Sequence, residues 1–397
     1  MNYANISAII PTYNGEKFIG ETIESIMSQT LPVEELIIID DKSSDDTLKI
    51  CEKYSEKYSD IFIYKNKSNI GSSASRNKGI KLSKNNIILF MDQDDIALPT
   101  LVEKELSYLI SLNKKNSSCN PWVGVHSAYQ QINQYGNVIN TVIDWKQVQS
   151  SELLGYEFVR NHIITNSGML LDKRTVIKCG MFDENLNYSQ DWDLWLKICQ
   201  VAGIGYINEP MIKLRRHDNN TSRNVEDFIN DEIKILKKYD IKFIKTSIFK
   251  RNLPYEKNCV DYVSVLFKLS KLNDGFEILQ ECLKKEKDDY SAIFYLGVYY
   301  LKIGSWQLAK KQFEKVILLN PINAASFNNL GAIFIVEGEK NMALMYLKKA
   351  LALLNNYNDA KYNLQLLDNS KVDFEQVKFT DRELRNQLIC YSNNNFR

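Results

Sequence analysis

Four short apolar runs, separated by helical patterns, constrain the fold of the first hundred residues more than any other feature. The runs cover residues 6–10, 36–39, 61–64 and 87–91. Each is bounded by polar or turn-forming residues, which is typical of buried strands in a parallel sheet. Strands that alternate with helices over short links predict a mostly parallel sheet with helices on both faces. The fold class predicted for this part of the chain is therefore α/β.

Two acidic clusters and a Pro-Thr pair lie where three of these strands end. They are Pro11 and Thr12 after the first strand, Asp40 and Asp41 after the second, and Asp92, Asp94 and Asp95 after the fourth. Open α/β sheets bind their ligands at the carboxyl ends of the strands. Because like charges placed together cost stability unless a cation or donors offset them, the last cluster predicts a divalent metal site. The alternative is a solvated acidic loop that caps the following helix.

Two further segments carry candidate functional residues. Asp191 precedes a run with apolar residues at helical spacing, so a helix is expected to begin there, and Asp191 is either its N-cap or a general base that points into the crevice. His217 follows Arg215 and Arg216. It is either a surface residue or part of a cationic group that stabilises a phosphate leaving group. Between these segments and the first strands, alternation over 123–132 and a turn at 135–137 predict an antiparallel hairpin that forms an acceptor-binding wall.

Composition and missing motifs exclude several classes of protein. With 50 basic and 49 acidic residues, the formal net charge is +1, so the chain as a whole is not expected to bind nucleic acid. It has neither a G-x-G-x-x-G after the first strand nor a P-loop, which disfavours a dinucleotide site but leaves room for a nucleotide held by carboxylates and a metal. No apolar run approaches the ~20 residues that span a bilayer. We therefore expect no transmembrane segment and a cytoplasmic location, with the inner face of the membrane as a second location.

A repeat with a period of about 34 residues runs through the C-terminal part of the chain, and this period resembles the tetratricopeptide repeat. Residues in the first copy are matched by residues of similar character one period later: Ile293, Leu296, Gly297, Tyr300, Ala309, Phe313 and Val316 by Phe327, Leu330, Gly331, Phe334, Ala343, Leu347 and Ala350. A weaker third copy lies one period earlier. The resemblance implies an all-α solenoid. Its surface is either a structural appendage or a groove for a peptide, a protein partner or a second copy of the chain.

The domain organisation predicted from these patterns has four parts. They are a catalytic domain over 1–223, a helical connector over 224–255, about three repeats over 256–368, and a tail over 369–397. In the tail, Thr380 and Glu383 have the spacing of a capping box and predict a short helix.

Six motifs between Ala8 and His217 resemble, in order and spacing, those of family 2 glycosyltransferases with the GT-A fold. They are AIIPTYN at 8–14, IDDKS at 39–43, Gly71 with ASRN at 74–77, MDQDD at 91–95, QDWDLW at 190–195, and Arg216 with His217. Two positions depart from the family pattern, because Lys42 and Gln190 stand where the family often has Gly and Glu. Neither departure removes a required charge.

The resemblance implies a role for each candidate residue. Asp41 would contact the nucleotide base, with Pro11 and Thr12 in the same pocket, and Arg76 would lie near the base or the diphosphate. Asp92 and Asp94 would bind the ribose and a Mn²⁺ or Mg²⁺ ion, with Asp95 as an alternative metal ligand. Asp191 would deprotonate the acceptor, and His217 would help to hold the diphosphate or the metal.

The implied function is that of an inverting, metal-dependent transferase. It would move a sugar from a nucleotide-sugar, with UDP as the expected nucleotide, to a glycan or glycolipid acceptor, and the repeats would recruit the acceptor or a partner. A polypeptide acceptor bound by the repeats is the main alternative. A non-catalytic scaffold and a hydrolase of sugar nucleotides are further alternatives.

Overall fold

The computed structural model describes residues 5–115, 120–142, 146–217, 225–367, 369, 372–382 and 384. These residues form two compact units that meet in the chain between Arg251 and Asn252. Helices over 225–236 and 241–248 belong to the first unit. The domain boundaries predicted at 223, 255 and 368 stay predictions.

The first unit is built on one sheet whose strands are, in chain order, β1 (Ile6–Thr12), β2 (Glu35–Asp40), β3 (Ile61–Lys65), β4 (Ile87–Phe90), β5 (Ile96–Ala97), β6 (Trp122–Asn133), β7 (Val138–Val142), β8 (Met169–Asp172) and β9 (Gly203–Arg216). The spatial order is β3-β2-β1-β4-β8-β6-β9-β5, and β7 pairs with β6. The β1–β4 half is parallel, whereas β8 is antiparallel to both β4 and β6. The α/β class is confirmed, and the predicted hairpin is the antiparallel β6–β7 pair.

Nine helices accompany this sheet within the described residues: α1 (Ile19–Met27), α2 (Thr47–Lys57), α3 (Ser72–Leu82), α4 (Leu101–Lys115), α5 (Ser150–Val159), α6 (Lys173–Lys178), α7 (Gln190–Cys199), α8 (Val225–Leu236) and α9 (Ile241–Ile248). One cluster of buried side chains lies between the apolar strands and the helices α1 and α4. For example, Ile19, Ile23 and Ile26 recur at helical spacing on α1, and all three are fully buried. Thr22 of the same helix donates from Oγ1 to the carbonyls of Gln93 and Asp95, so α1 lies beside the loop that follows β4.

The second unit is helical. Its described helices are α10 (Tyr255–Lys268), α11 (Leu272–Lys285), α12 (Tyr290–Lys302), α13 (Trp306–Leu319), α14 (Ala324–Val336), α15 (Lys340–Leu353) and α16 (Asn358–Leu366). Two glycines of the repeat explain how each hairpin closes. A Cβ at Gly297 would lie 2.7 Å from the ring of Phe313, and one at Gly331 would lie 2.7 Å from Leu347. Only glycine lets these helices approach so closely, and the result is a solenoid-like stack.

None of the described helices is both long and apolar enough to cross a membrane.

Candidate active site

Gln93, within the acidic motif, fastens the loop after β4 to the end of β1. Its Oε1 accepts hydrogen bonds from Thr12 Oγ1 at 2.6 Å and from the backbone N–H of Tyr13 at 2.8 Å. Its Nε2 donates to the Tyr13 carbonyl at 3.1 Å. The side-chain amide of Gln93 thus binds the end of β1, and this fixes the loop that carries Asp92 and Asp94 on either side of it. Gln93 is not among the residues selected from the sequence, although its position between Asp92 and Asp94 was a signal.

Asp95 points into the protein. Its Oδ1 accepts the backbone N–H of Arg215 at 2.9 Å, and its Oδ2 accepts the hydroxyl of Ser167. Burial, together with the charges of Asp94 and Asp92, raises the pKa of Asp95 well above its ordinary value. These contacts join the acidic loop to β9 and to the segment before β8.

Asp94 and His217 form a pair at the edge of the crevice. Asp94 Oδ2 lies 2.8 Å from His217 Nε2, and both side chains are only partly exposed. The His217 ring packs against Phe18 with centroids 5.0 Å apart. Arg215 Nε donates to the Asp94 carbonyl at 2.9 Å, and its guanidinium lies over the Phe18 ring at 4.7 Å. The aromatic ring and the arginine thus fix the orientation of both members of the pair.

Arg76 is a buried cation, and some of its hydrogen-bond donors have no partner among the described residues. It lies on α3, is only 5% exposed, and its Nη2 donates to Asp92 Oδ1 at 2.5 Å. Among the described residues, neither Nε nor Nη1 of Arg76 has a hydrogen-bond partner. Unpaired buried N–H groups are costly, so two of them on one charged side chain call for an explanation, and a ligand that binds there is one. An anion is the ligand that these donors fit.

Asp191 is the second residue of α7 and shares the electrostatic environment of Arg76 and Asp92. The helix cap is Ser189, so the N-cap interpretation of Asp191 is wrong; its Oδ1 instead accepts the N–H of Trp192 at 2.7 Å. Burial raises the pKa of Asp191 to about 6, while the charge of Arg76 lowers it and that of Asp92 raises it further. A carboxyl group with this pKa changes protonation state near neutral pH, as a general base requires.

Asp41 shapes the loop that leads into α3. Its Oδ1 accepts from Asn66 Nδ2 at 2.8 Å and from the N–H of Ile70 at 2.9 Å, and its Oδ2 accepts from the N–H of Gly71 at 2.8 Å. Gly71 has φ +86°, a conformation that favours glycine. Because a carboxylate oxygen can accept two hydrogen bonds, Oδ2 retains one acceptor position. The N–H of Asp41 donates to the Thr12 carbonyl at 2.8 Å, and Pro11 is buried in β1 beside it.

The structure therefore brings the sequence-selected residues together in contacting pairs: Thr12 with Asp41, Asp92 with Arg76, and Asp94 with His217. Asp191 interacts electrostatically with both members of the Asp92–Arg76 pair. Within the described part of the chain, no three or more His, Cys, Asp or Glu side chains form a set that could hold a metal by themselves. A cavity of about 720 Å³ between α4 and β9 contains none of these residues.

Comparison with known proteins places this arrangement in a family. Residues 7–176 match the description "Glycosyl transferase family 2". The chain is 31% identical over 250 residues to an uncharacterised glycosyltransferase of Rickettsia prowazekii, a match that covers 61% of this chain and 76% of the relative. The chain belongs to glycosyl transferase family 2. The expectation of a glycosyltransferase with the GT-A fold is confirmed at this level, whereas the tetratricopeptide identity of the helical repeats stays a prediction.

Other relatives match a smaller share of their own length. The minor teichoic acid biosynthesis protein GgaB of Bacillus subtilis is 30% identical over 224 residues, which is 56% of this chain and 24% of GgaB. The chain likewise covers 31% to 44% of glycosyltransferases from three further Rickettsia species. Among solved structures, S. aureus TarS 1-349 in complex with UDP-GlcNAc superimposes with a TM-score of 0.50 and 16% identity, covering 92% of each chain. At that identity the likeness concerns the fold.

Proposed function

We propose that this glycosyltransferase moves a sugar from a UDP-sugar to the hydroxyl group of a glycan or glycolipid, with inversion at the anomeric carbon. One observation carries the proposal: a carboxyl group with a pKa of about 6, on Asp191, is electrostatically coupled to a buried arginine, Arg76, two of whose N–H donor groups lack partners among the described residues. The first group can accept a proton, and the second can bind the anion that leaves. Transfer from a sugar diphosphate needs both.

The donor would lie at the ends of β1, β2 and β4. Arg76 Nε and Nη1 would bind diphosphate oxygens, because these are unpaired donors at the strand ends within the described structure. The remaining acceptor position of Asp41 Oδ2 and the buried Pro11 and Thr12 would line the base pocket. UDP is the proposed nucleotide because the TarS structure of similar fold is described in complex with UDP-GlcNAc.

The residues present fit a Mn²⁺ or Mg²⁺ ion that is shared with the donor. Asp92 and Asp94 are 30% and 16% exposed, and His217 supplies a nitrogen beside Asp94. Magnesium is commonly bound by one or two carboxylates together with substrate phosphates, so a complete protein cage is not required. We leave Asp95 out of the proposed ligands because both of its oxygens accept hydrogen bonds from the protein. When bound, the ion would act as a Lewis acid on the diphosphate.

The proposed reaction is a single displacement. Asp191 accepts the proton of the acceptor hydroxyl while that oxygen forms a bond to the anomeric carbon. The bond between the anomeric carbon and the diphosphate oxygen breaks on the opposite face, and UDP leaves with the electron pair. Arg76 stabilises the negative charge that develops there.

A glycan acceptor agrees with the name of one relative, a teichoic acid biosynthesis protein. The repeat of the second unit favours the alternative, a polypeptide acceptor, because such solenoids carry extended binding surfaces. A purely scaffolding role would leave Arg76 and Asp191 without a purpose. A hydrolase would use the same residues with water as acceptor.

Two measurements test the proposal. Calorimetric titration of UDP should give binding that strengthens when Mn²⁺ is added, and the absence of binding would contradict a nucleotide site. Asp191→Asn should then reduce transfer roughly 1,000-fold, the middle of the range for a general base, while UDP affinity stays within a few-fold. Asp46→Asn is a matched control, because Asp46 is an exposed carboxylate that pairs with Lys49 on the surface of α2.

The products decide among the alternatives. Sugar released to water without any acceptor would support the hydrolase, whereas a mass increase of one sugar on a glycan or on a polypeptide would identify the acceptor. Loss of UDP binding in Asp191→Asn would show that Asp191 is structural.

A further inference from the structure

Asp231 of α8 holds the main chain shortly before Asp191. This side chain is buried, and its Oδ2 accepts the backbone N–H of Asn187 at 3.2 Å and that of Tyr188 at 2.9 Å. Its Oδ1 pairs with the exposed Lys234 at 2.8 Å. Hydrogen bonds from N–H groups to an ionised carboxylate are stronger than those between neutral groups. One carboxylate of α8 therefore fixes the two residues that lead into the start of α7.

Lys238, in the turn that follows α8, holds the chain on the other side of Asp191. Its Nζ lies 2.7 Å from Asp193 Oδ1 and 2.8 Å from Asp183 Oδ2. Asp193 is fully buried and lies on α7, as Asp191 does. A buried carboxylate is costly unless cations pair with it, and Lys197 of α7 is the second cation beside Asp193, at 2.6 Å. Lys238 thus connects α7 and the segment before it to the end of α8.

The turn between these two anchored positions has an unusual backbone. Ser189, the cap of α7, has φ +30°, and its side chain makes no capping hydrogen bond among the described residues. A left-handed conformation is uncommon for a residue other than glycine and persists where the surrounding structure holds it. The rings of Tyr188 and of Phe228 on α8, with centroids 5.7 Å apart, add packing to the polar contacts of Asp231. The contacts that hold this turn therefore come in part from α8.

The other end of the same segment is attached to the helix that carries Arg76. Asn77 of α3 donates from Nδ2 to the Phe182 carbonyl at 2.9 Å and accepts the Phe182 N–H on Oδ1 at 3.0 Å. The Arg76 guanidinium lies over the Phe182 ring at 5.5 Å. Residues 182–193 therefore connect Arg76 to Asp191, with α3 holding one end and α8 the other.

We propose that Asp231 and Lys238 are positioning residues for the transfer reaction, which hold the Asp191 carboxylate within reach of the acceptor hydroxyl. This inference rests on the proposed role of Asp191 as the general base. A base must lie within hydrogen-bond distance of the proton that it removes, and a displacement of about 1 Å can cost roughly 100-fold in rate. Both residues act through the chain beside Asp191. A loss of either should therefore lower kcat and leave donor binding intact, whereas a purely structural role would change both with the stability.

Kinetics of four variants of the full chain test this role. The probe reaction is sugar transfer from UDP-GlcNAc to p-nitrophenyl glycosides in the presence of Mn²⁺, followed by mass spectrometry. Asp231→Ala removes the acceptor of two N–H groups and should lower kcat roughly 100-fold, with the donor KM and the Kd of UDP within about twofold. Asp231→Asn keeps an oxygen in the same place and should restore kcat to within a few-fold of the natural value. Lys238→Met should lower kcat about tenfold, and Lys237→Met, at the neighbouring exposed lysine, is the matched control and should leave it unchanged.

Hydrogen exchange supplies a readout that does not depend on the sugar or the acceptor. The amides of Asn187 and Tyr188 should be protected in the natural chain, and Asp231→Ala should raise their exchange rates about tenfold, whereas Asp231→Asn should not. Unchanged exchange in Asp231→Ala would mean that α8 does not hold this segment, and the proposal would be wrong. A joint loss of kcat, UDP affinity and melting temperature that Asp231→Asn does not restore would show a purely structural role and would also overturn it.

A variant of Asp191 separates this inference from the function on which it rests. In a chain that already carries Asp191→Asn, Asp231→Ala should lower the rate no further, because residues that act through one another are not additive. An equal further loss would mean that Asp231 acts elsewhere, which would overturn the positioning role. If Asp191→Asn alone leaves transfer unchanged, the proposed base is wrong and the positioning role falls with it. If Asp191→Asn is inactive while folded Asp231→Ala is as fast as the natural chain, the proposed base stands and the positioning role alone is wrong.

Discussion

The active-site crevice and the asparagine groove, in which Asn328, Asn329 and Asn363 of the helical unit bind the C-terminal tail, are both built from buried polar side chains, but they use them in opposite ways. In the crevice, Arg76 keeps two donor groups without partners in the described structure, and burial shifts the pKa of Asp191 upward. In the groove, the amides of Asn329 and Asn363 are paired on both their donor and acceptor sides with the main chain of Thr380 and Lys378, respectively. The polar groups of the crevice can therefore still bind a ligand, whereas those of the groove are already paired with the tail of the chain itself.

This difference has an energetic consequence. Unpaired buried groups cost stability, and this cost is offset when a ligand binds, so changing them should affect binding more than folding. Paired groups stabilise the folded chain, so changing them should affect folding first. The following predictions are ordered from the largest expected effect to the smallest.

Replacing Arg76 by Leu should weaken UDP binding by about 100-fold, because two hydrogen bonds between charged groups together contribute about 3 kcal/mol. The melting temperature should fall little, since the Arg76 guanidinium pairs with the partly exposed Asp92 and otherwise lies over the Phe182 ring at 5.5 Å, an apolar surface that leucine can also cover. Calorimetry of UDP binding and of unfolding on the same sample checks both. A large loss of stability with intact UDP binding would place Arg76 among the structural residues.

The rate of transfer should depend on the protonation of Asp191. Since burial raises its pKa to about 6, the carboxylate that accepts the proton is lost as pH falls through 6, and the rate should drop about tenfold per pH unit below that value. Rates with saturating donor between about pH 4.5 and 8 measure this limb. A flat profile with folded protein throughout would exclude Asp191 as the base.

Glu105 is a second buried ionisable residue without hydrogen-bond partners among the described residues, and we expect it to affect stability rather than ligand binding. It lies on α4, is fully buried, and has no hydrogen-bond partner for either oxygen among the described residues. Burial raises the pKa of Glu105 well above its usual range, and the nearby Ser127 hydroxyl offsets this only in part.

The folded chain therefore keeps a proton on Glu105 that the unfolded chain loses above about pH 4.5. Stability should fall by about 1.4 kcal/mol per pH unit above that value, until the folded pKa is reached. Glu105→Gln should remove this slope without changing transfer, as chemical denaturation at several pH values would reveal. Equal slopes for the two proteins would contradict the prediction.

Thr380→Val should lower the free energy of unfolding by about 1–3 kcal/mol, because it leaves Tyr357 and Asp359 without their hydroxyl partner. UDP binding should not change. Guanidinium denaturation followed by far-UV circular dichroism measures the difference, and Thr246→Val, at an exposed threonine of α9, is the control.

The smallest effect is expected from Gln93→Leu. This change removes the contacts to Thr12 and Tyr13 but no charge, so the donor KM should rise a few-fold with kcat nearly constant. Steady-state kinetics with varied donor would check it. A drop in kcat alone would mean that Gln93 acts on the transition state.

Much of this architecture follows from local sequence. The runs at 36–39 and 87–91 contain strands because apolar residues with turn residues around them can be buried on both faces of a sheet. The start of α3 at Ser72 also follows from local sequence, because Gly71 directly before it adopts a positive φ that favours glycine.

The direction in which each side chain points could not be predicted. Asp92, Asp94 and Asp95 have the same chemistry in the sequence, yet Asp95 turns inward because Ser167 and Arg215, distant in the chain, supply its donors. Asp41 likewise holds Ile70 and Gly71, a contact that no pattern at residues 39–43 encodes.

The asparagine groove is hard to predict for a different reason. The repeat is evident at its apolar positions, whereas the recurrence of Asn329 as Asn363 is a polar match that an apolar comparison does not detect. The sequence predicts Thr380 as the cap of a further helix, but its hydroxyl is instead bound by Tyr357 and Asp359. Glu383, the other half of that motif, lies outside the described residues.

Because these asparagines recur once per repeat, the helical unit binds the extended tail at a regular spacing. Each hairpin that carries the amide corresponds to two residues of extended chain, a length of roughly 6–7 Å. The position one period before Asn329 is Tyr295, and the tail residue two beyond Thr380 is Arg382. Introducing Asn at position 295 would therefore place one more amide opposite the tail, and the number of hairpins that carry the amide would set how many tail residues are bound.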